Sequence, residues 1–447
     1  MSDDWEKLAG EKGEEVPSSR FGRMFALGKM SARVGASMLA HKATNLISKK
    51  DAQQQDLLYQ ANAERIVEVL GKLKGASMKV GQLLSADPEL MPDGFGEHLS
   101  SLQNSAPPMT YVTVKKQIEE ALDRPIELVF REFNPDPIGA ASIGQVHYAV
   151  LDSGEKVAVK IQYPGVIDAL ESDLKTIEGM MSYGRAVMEK ERLHEYMNEI
   201  RETVIQEADY EDEARKLQHF HELLSEREGV RAPKPFMEWT RKNVLVMEYV
   251  EGEKFDSALL KMSREERQPH LIKWVETYTW MFHELFELHA DPHPGNFLLE
   301  EDGTLTILDF GSVKQFEPSF ADGMLKLMDI CWRNAPEEAI DVYQELGFGA
   351  KRIKWSDIDP QLLADYHDIV LKPFLRDEPF KFADWTPATD GRHFMLSHPS
   401  FLMIAPPAES LPYFRMLSGV KGLLIRLDAE INVYEIAYQA AKRRGIV

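Results

Sequence analysis

Two stretches of the sequence decide the fold class: HADPHPGN at residues 289–296 and ILDFG at residues 307–311. The first brings a carboxylate, Asp291, and an amide, Asn296, into one loop, and the second places Asp309 directly after a β-rich run. Carboxylate oxygens are ligands that Mg²⁺ prefers. Phosphoryl transfer depends on metal ions held against phosphates and on a positioned acceptor. We therefore predict a phosphoryl-transfer site that contains Asp291, Asn296 and Asp309, in which Asp309 is a ligand of Mg²⁺.

The run VAVK at residues 157–160 predicts a strand that serves a nucleotide. On a strand, Ala158 and Lys160 point to one face and the neighbouring valines to the other. The small Ala158 leaves room for a flat base, and the ammonium of Lys160 suits the α- and β-phosphates. Such a lysine needs an acidic partner, and we expect Glu213 of EADYEDEA (residues 207–214) to supply it.

The segment GAASIGQV at residues 139–146 occupies the position of a phosphate-binding loop between two strands. Its tip is not G-x-G-x-x-G, and side chains there restrict how closely the backbone can surround phosphates. By itself the segment would be a tight strand turn. In the context of the other motifs, we expect four of its residues to contact the nucleotide: Ala140, Ala141, Ser142 and Val146.

The order of predicted elements is that of an α+β chain with two lobes. Helices are predicted at residues 51–84, 113–122 and 167–224. Strands are predicted at residues 128–133, 145–151, 156–162 and 243–250, with a hairpin-like stretch at 296–309. The strand at 243–250 leads to a hinge at Glu251-Gly252, and Glu248 and Tyr249 near the end of this strand would contact the nucleotide. A small β-rich lobe before a larger helical lobe is the plan of a protein kinase, and Asp291 and Asn296 have the spacing of its catalytic loop.

Composition excludes several classes of protein. The formal net charge of −21 argues against a nucleic-acid-binding surface, and a single cysteine among 447 residues excludes an intrachain disulfide framework. The sequence contains no run of eighteen apolar residues, so we do not expect a membrane-spanning helix. The acidic, polar start lacks the layout of a secretory signal, so we expect a cytoplasmic protein.

Residues 18–50 differ from the acidic remainder of the chain. They carry basic side chains without any acid, and apolar side chains recur at roughly helical spacing. This composition suits a helix that lies on an anionic membrane surface, which would place the protein peripherally at the inner face of the membrane. The alternative is a basic arm packed on the acidic body of the same protein.

Two other patterns invite functional readings that we reject. Ala335-Pro336-Glu337 imitates the end of a kinase activation segment, but a predicted helix fills the interval before it, and Asn334 is predicted to cap a new helix. The histidines near residues 283–293 suggest zinc, but HELFELH is not H-E-x-x-H. We expect His283 to be packed or on a helix surface, and His289 to bond the catalytic-loop backbone. Cys331 is predicted to be a small buried residue.

These motifs together resemble the UbiB (AarF-domain) family of atypical kinase-like ATPases linked to ubiquinone biosynthesis. The resemblance runs from about residue 70 to near the C-terminus and includes the Lys-x-Gly-Gln hallmark, LKGASMKVGQLLS, at residues 73–85. It implies an atypical protein-kinase-like bilobal fold with an N-terminal helical extension over the cleft where a protein kinase binds its peptide. Lys79 and Gln82 would then enter the active site, held by Glu207 and Asp209. By the same resemblance, Asp291 would stand at the catalytic aspartate position, and Asn296 and Asp309 would hold metal.

The resemblance also implies ATP or ADP and Mg²⁺ as cofactors, and four parts of the chain. These are a basic arm (1–50), the Lys-x-Gly-Gln extension (51–110), an N-lobe (111–250) and a C-lobe (251–447). Members of the UbiB subgroup proper carry C-terminal membrane helices, whereas this sequence closes with YQAAKRRGIV and has no such span. We therefore expect the soluble branch of the family.

Three functions fit these observations. The favoured one is an ATPase that supports ubiquinone or isoprenoid-lipid metabolism at a membrane surface. The predicted metal ligands and the nucleotide-binding lysine are present, whereas the family resemblance implies that the helix with Lys79 covers the cleft where a kinase binds its peptide. The alternatives are a conventional protein or small-molecule kinase and a non-catalytic nucleotide-binding scaffold. The expected partners are the nucleotide, anionic membrane lipid, a quinone or isoprenoid precursor and proteins of a biosynthetic complex.

Overall fold

The computed structural model describes residues 108–141, 143–167, 174, 190–350, 354–398, 400–401 and 404–447. The basic arm, the helix predicted at 51–84 with Lys79 and Gln82, and Ser142 lie outside the described residues. The helices are α1 Tyr111–Leu122, α2 Lys190–Glu207, α3 Tyr210–Ser225, α4 Phe255–Leu260, α5 Arg264–Trp280, α6 Pro318–Arg333, α7 Ala339–Glu345, α8 Pro360–Val370, α9 Pro387–Ser397, α10 Leu411–Arg426 and α11 Val433–Arg443.

The strands form one larger sheet and several small ones. They are β1 Phe130–Phe133, β2 Gly139–Ala141, β3 Gly144–Leu151, β4 Lys156–Gln162, β5 Val230–Arg231, β6 Val244–Glu248, β7 Glu253–Lys254, β8 Glu287–His289, β9 Phe297–Leu299, β10 Leu305–Ile307, β11 Val313–Gln315, β12 Gly349–Ala350, β13 Phe380–Lys381, β14 Ile404–Ala405 and β15 Glu430–Ile431. The larger sheet has the order β1-β3-β4-β6, with β2 paired to β3.

The two faces of the larger sheet belong to different cores. Val157, Val159 and Ile161 of β4 pack with the buried face of α1. Ala158 lies on the opposite face and belongs to the core that contains α3 and the helical lobe. This alternation follows from the two-residue period of a strand, and it turns Lys160 toward the helical lobe together with Ala158.

Most predicted elements near the site are confirmed, with small shifts at their ends. The strands predicted at 145–151 and 156–162 correspond to β3 and β4, and the stretch at 296–309 contains the antiparallel pair β9 and β10. The helix predicted at 113–122 begins two residues earlier, where Thr110 caps it by accepting a bond from the amide of Thr113. The strand predicted at 128–133 begins at Phe130, because a 3₁₀ turn occupies Ile126–Leu128.

Two sequence predictions about helix ends are wrong. The helical stretch predicted at 167–224 is broken between α2 and α3, where Asp209 has extended backbone angles and its side chain accepts bonds from the amides of Glu211 and Asp212. Aspartate competes with the helix in this way and caps a new one. Asn334 does not begin a helix; it ends α6 with φ 53°, a left-handed conformation that asparagine tolerates.

Candidate active site

Three charged side chains from separate elements meet on the inner face of β4. The ammonium of Lys160 lies 2.7 and 2.9 Å from the two carboxylate oxygens of Glu213 on α3, and 2.9 Å from Oδ2 of Asp309. Lys160 and Glu213 are buried, whereas the side chain of Asp309 is 31% exposed. The ion pair predicted between Lys160 and Glu213 is therefore present, and Asp309 joins it from the loop after β10.

The charges of this cluster depend on one another. Burial alone would lower the pKa of Lys160, but Asp309 and Glu213 together raise it well above its usual value. Burial and the neighbouring Asp309 raise the pKa of Glu213 to about 7. The lysine thus stays protonated and is the cation that allows two carboxylates to lie close together in a desolvated place.

Asp291 and Asn296 are held by hydrogen bonds within their loop. The side-chain nitrogen of Asn296 donates to the carbonyl oxygen of Asp291 at 3.0 Å. This bond orients the amide and leaves its oxygen available as a metal ligand. The carboxylate of Asp291 accepts a bond from Nη2 of Arg415 at 3.0 Å. The donor set of Asn296 and Asp309, one amide oxygen and one carboxylate, fits Mg²⁺.

His289 links the catalytic loop to the segment that contains Asp309. Burial lowers the pKa of His289, so its ring is neutral at physiological pH. Nε2 donates to the carbonyl oxygen of Asp309, and Nδ1 lies 3.4 Å from the amide of Asp291. The expected contact with the catalytic-loop backbone is confirmed. His283 is packed, with Nδ1 donating to the carbonyl of Ala321 at 3.0 Å.

Glu207 and Asp209, predicted to hold Lys79 and Gln82, have contacts within the described residues. Glu207 is buried and accepts a bond from the hydroxyl of Ser312, which follows Gly311. Asp209 caps α3, as described above. Because Lys79 and Gln82 lie outside the described residues, their contact with this pair stays a prediction.

The other predicted nucleotide contacts surround the same face of the sheet. Val146 lies opposite Lys160 in the β3–β4 ladder, and Ala140 and Ala141 pair with the start of β3. The ring of Tyr249 packs edge-on against Tyr148, with centroids 4.9 Å apart. The carboxylate of Glu248 instead binds Nη1 of Arg231 at 2.9 Å, and its contact with a nucleotide stays a prediction.

Sequence reasoning missed two residues of the site. The ring centroid of Tyr210 lies 4.9 Å from the ammonium of Lys160, and its buried hydroxyl has no hydrogen-bond partner among the described residues. Its position directly after Asp209 was the available signal. Arg415 lies on α10, 124 residues from Asp291, and no local pattern points to it.

The chain is similar to a known protein family and to several known proteins. The model of the ABC1 atypical kinase-like domain matches residues 101–340, more than half of the chain. The chain belongs to the ABC1 atypical kinase-like family. Atypical kinase COQ8, mitochondrial, from Saccharomyces cerevisiae is 30% identical over 443 residues, which cover 96% of this chain and 86% of that protein. The probable serine/threonine-protein kinase abkA of Dictyostelium discoideum is 27% identical, over 94% of this chain and 79% of that protein.

A solved structure has the same fold as this ABC1 chain. The complex of Rv3197 with erythromycin, from Mycobacterium tuberculosis, gives a TM-score of 0.63 at 26% sequence identity and covers 87% of this chain and 97% of that one. The resemblance stated from the motifs and the kinase-like α+β fold class are thereby confirmed. Within the described part of the chain, every helix is too short or too polar to span a bilayer. The four predicted parts of the chain remain a prediction.

Proposed function

We propose that this ABC1-family protein is a Mg²⁺-dependent ATPase. The observation that carries the proposal is the contact of Lys160, from the β-rich lobe, with both Glu213 and Asp309. Lys160 would bind the α- and β-phosphates of ATP or ADP, and Asn296 and Asp309 would bind Mg²⁺. The metal would neutralise charge on the phosphates, and Asp291 would orient the attacking group. Lys79 and Gln82 belong to the same proposed site.

Hydrolysis is favoured over transfer to a peptide by the chain that follows Asp309. β11 ends at Gln315 and α6 begins at Pro318, so only two residues separate them. A peptide-docking activation segment of ordinary length would have to lie in this interval. The conventional kinase and the non-catalytic scaffold are the alternatives that an experiment must separate from the ATPase.

The proposed setting is ubiquinone or isoprenoid-lipid metabolism at a membrane surface. Support comes from the family to which the chain belongs and from the basic, amphipathic composition of residues 18–50. The proposed partners are anionic lipid, a quinone or isoprenoid precursor and proteins of a biosynthetic complex, and the proposed location is cytoplasmic, at the inner face of a membrane.

The test is Mg²⁺-dependent phosphate release from ATP, measured with and without vesicles that contain anionic lipid. Asp309→Asn is expected to lower the rate by about 100-fold or more, because loss of a metal-binding charge removes several kcal/mol of transition-state stabilisation. The matched control is Asp322→Asn. Asp322 lies on α6 and its carboxylate binds Arg444, the residue after α11, so this change should leave the rate unchanged. Chelation of Mg²⁺ should abolish release in both.

Different results would favour the alternatives. An equal rate in Asp309→Asn would contradict the assigned metal site. Stoichiometric labelling of a protein acceptor from γ-labelled ATP would indicate a kinase. Nucleotide binding without any phosphate release above the Asp309→Asn level, with or without vesicles, would indicate a scaffold.

A further inference from the structure

The carboxylate of Asp291 is bound by a residue outside the part of the chain that matches the family model. Arg415 lies on α10, whereas the match covers residues 101–340. Its Nη2 donates to Oδ1 of Asp291 at 3.0 Å, and the two side chains are only 9% and 19% exposed. Arg415 and Asp291 are 124 residues apart in the sequence, so this cation reaches the loop through tertiary packing alone.

α10 touches the catalytic loop at a second point. Gly419 lies one helical turn after Arg415 on the same face of α10. A Cβ atom at Gly419 would overlap the ring of Pro292, the residue after Asp291. The helix therefore approaches the loop as closely as a glycine allows, and the guanidinium is delivered from a rigid element. Rigid support of this kind is what a catalytic group requires to keep its geometry.

The guanidinium uses only part of its hydrogen-bonding capacity. Nη1 of Arg415 is buried and has no hydrogen-bond partner among the described residues. Buried donors are normally paired, and an unpaired one weakens stability. A contact whose only purpose was stability would satisfy both nitrogens. The single bond made by Nη2 is directed at Oδ1 of Asp291, so it ties the orientation of that carboxylate to α10.

We propose that Arg415 is a positioning residue for Asp291: its bond to Oδ1 fixes the orientation of the carboxylate that acts on the water or hydroxyl attacking the terminal phosphate. The inference rests on the proposed ATPase function and deepens it. Arg415 would not touch the reacting atoms; it would act through Asp291. Misplacement of a catalytic group by about 1 Å can lower a rate by about 100-fold, so a measurable effect is expected even without contact.

The test compares three variants of the full chain by Mg²⁺-dependent ATP turnover. Arg415→Met removes the charge while filling similar space, and we expect kcat to fall about tenfold or more while KM for ATP changes less than about twofold. Arg415→Lys should recover part of kcat, because an ammonium can still bind Oδ1. Arg426→Met is the matched control, since Arg426 lies on the same helix but binds Asp256, and it should behave like the unmodified chain.

The midpoint of thermal unfolding and the affinity for ATP are measured on the same samples. The inference is overturned if Arg415→Met keeps kcat within about twofold of the unmodified chain. It is also overturned if kcat, ATP affinity and the unfolding midpoint fall together without recovery in Arg415→Lys, because that pattern indicates a purely structural arginine. An unmodified chain without turnover would defeat the proposed function itself, whereas insensitivity of Arg415→Met alone defeats only the inference.

Discussion

At the scale of single residues, the site is organised by one lysine. Lys160 lies between Glu213 and Asp309, and the ring of Tyr210 covers it from the side. Removing one partner from a buried ion pair is costly because the remaining charge is left desolvated. The buried Glu213, whose pKa is already raised to about 7, is the group that would bear this cost if the lysine were absent.

Lys160→Met is therefore expected to destabilise the chain by about 3–5 kcal/mol at alkaline pH and by less near pH 6. When the pKa of a carboxyl group is raised in the folded state, the free energy of unfolding falls as pH rises from the ordinary pKa through the folded value. Because Lys160 favours the charged form of Glu213, its removal makes this fall larger. Urea unfolding at the two pH values measures the difference.

Lys314→Met is the control for this experiment, because Lys314 binds Glu199 in a pair that is partly exposed. Its effect should remain within about 1 kcal/mol at both pH values. Equal destabilisation by Lys160→Met at acidic and alkaline pH would contradict the account of Glu213.

At the scale of elements, the turn between β2 and β3 positions the predicted phosphate loop against β4. Gly144 faces Gln162 in the ladder, and a Cβ atom there would overlap the carbonyl of Ile161. Gly139, at the other end of the same segment, has no atom within 4 Å of such a Cβ. The two glycines of one motif thus have different roles, because only Gly144 permits the close approach of two strands.

Gly144→Ala is expected to lower the free energy of unfolding by about 3 kcal/mol and to weaken ATP binding, because backbone atoms of β4 must move to admit the methyl group. Gly139→Ala should change stability by no more than about 0.5 kcal/mol. Thermal unfolding with and without Mg²⁺·ATP measures both. A Gly144→Ala variant as stable as Gly139→Ala would show that the strands can separate without cost.

At the scale of the whole molecule, the helical lobe contains two buried histidines, His283 and His367, whose rings are neutral in the folded protein at neutral pH. Burial lowers the pKa of His283 and of His367 to about 4. His283 donates to the carbonyl of Ala321, and His367 lies 2.9 Å from the hydroxyl of Tyr343. The first contact joins the turn after α5 to α6, and the second joins α8 to α7. Burial also raises the pKa of the half-buried Cys331 to about 12, which makes a reactive thiol at this position unfavourable.

Stability is expected to fall as pH decreases from about 6.5 toward 4, because the unfolded chain binds protons on imidazoles that the folded chain keeps neutral. Each histidine should contribute about 2 kcal/mol to the loss between about pH 7.5 and pH 5. His283→Asn should therefore be less stable than the unmodified chain at pH 7.5, but its free energy of unfolding should fall by about 2 kcal/mol less between pH 7.5 and pH 5.

Chemical unfolding at the two pH values checks the histidine prediction. The control is His393→Asn, because His393 is exposed on α9 and its replacement should leave the pH dependence of the unmodified chain. If His283→Asn loses as much stability on acidification as the unmodified chain, the buried imidazole is not the source of the acid sensitivity.

The sequence by itself determined the features that arise within a few residues. The alternation in VAVK predicts which side of β4 carries Lys160, and the spacing within HADPHPGN and ILDFG predicts the loop and the hairpin before Asp309. These predictions hold because strand period and turn chemistry are local properties of the backbone. Helix ends at Asp209 and Asn334 were misjudged, because each residue can begin or end a helix and its neighbours decide.

Tertiary structure alone decided how the local features meet. Glu213 was one of several acids available to Lys160 in the sequence, and the packing of α3 under the sheet selected it. The same packing placed Tyr210 beside Lys160. The side chain of Glu248 binds Arg231, a partner that the sequence around Glu248 does not indicate. Arg415 reaches Asp291 across 124 residues because α10 docks on the catalytic loop. A contact between distant residues depends on the shape of the whole core, and such a contact leaves no periodicity or spacing in the sequence around either partner.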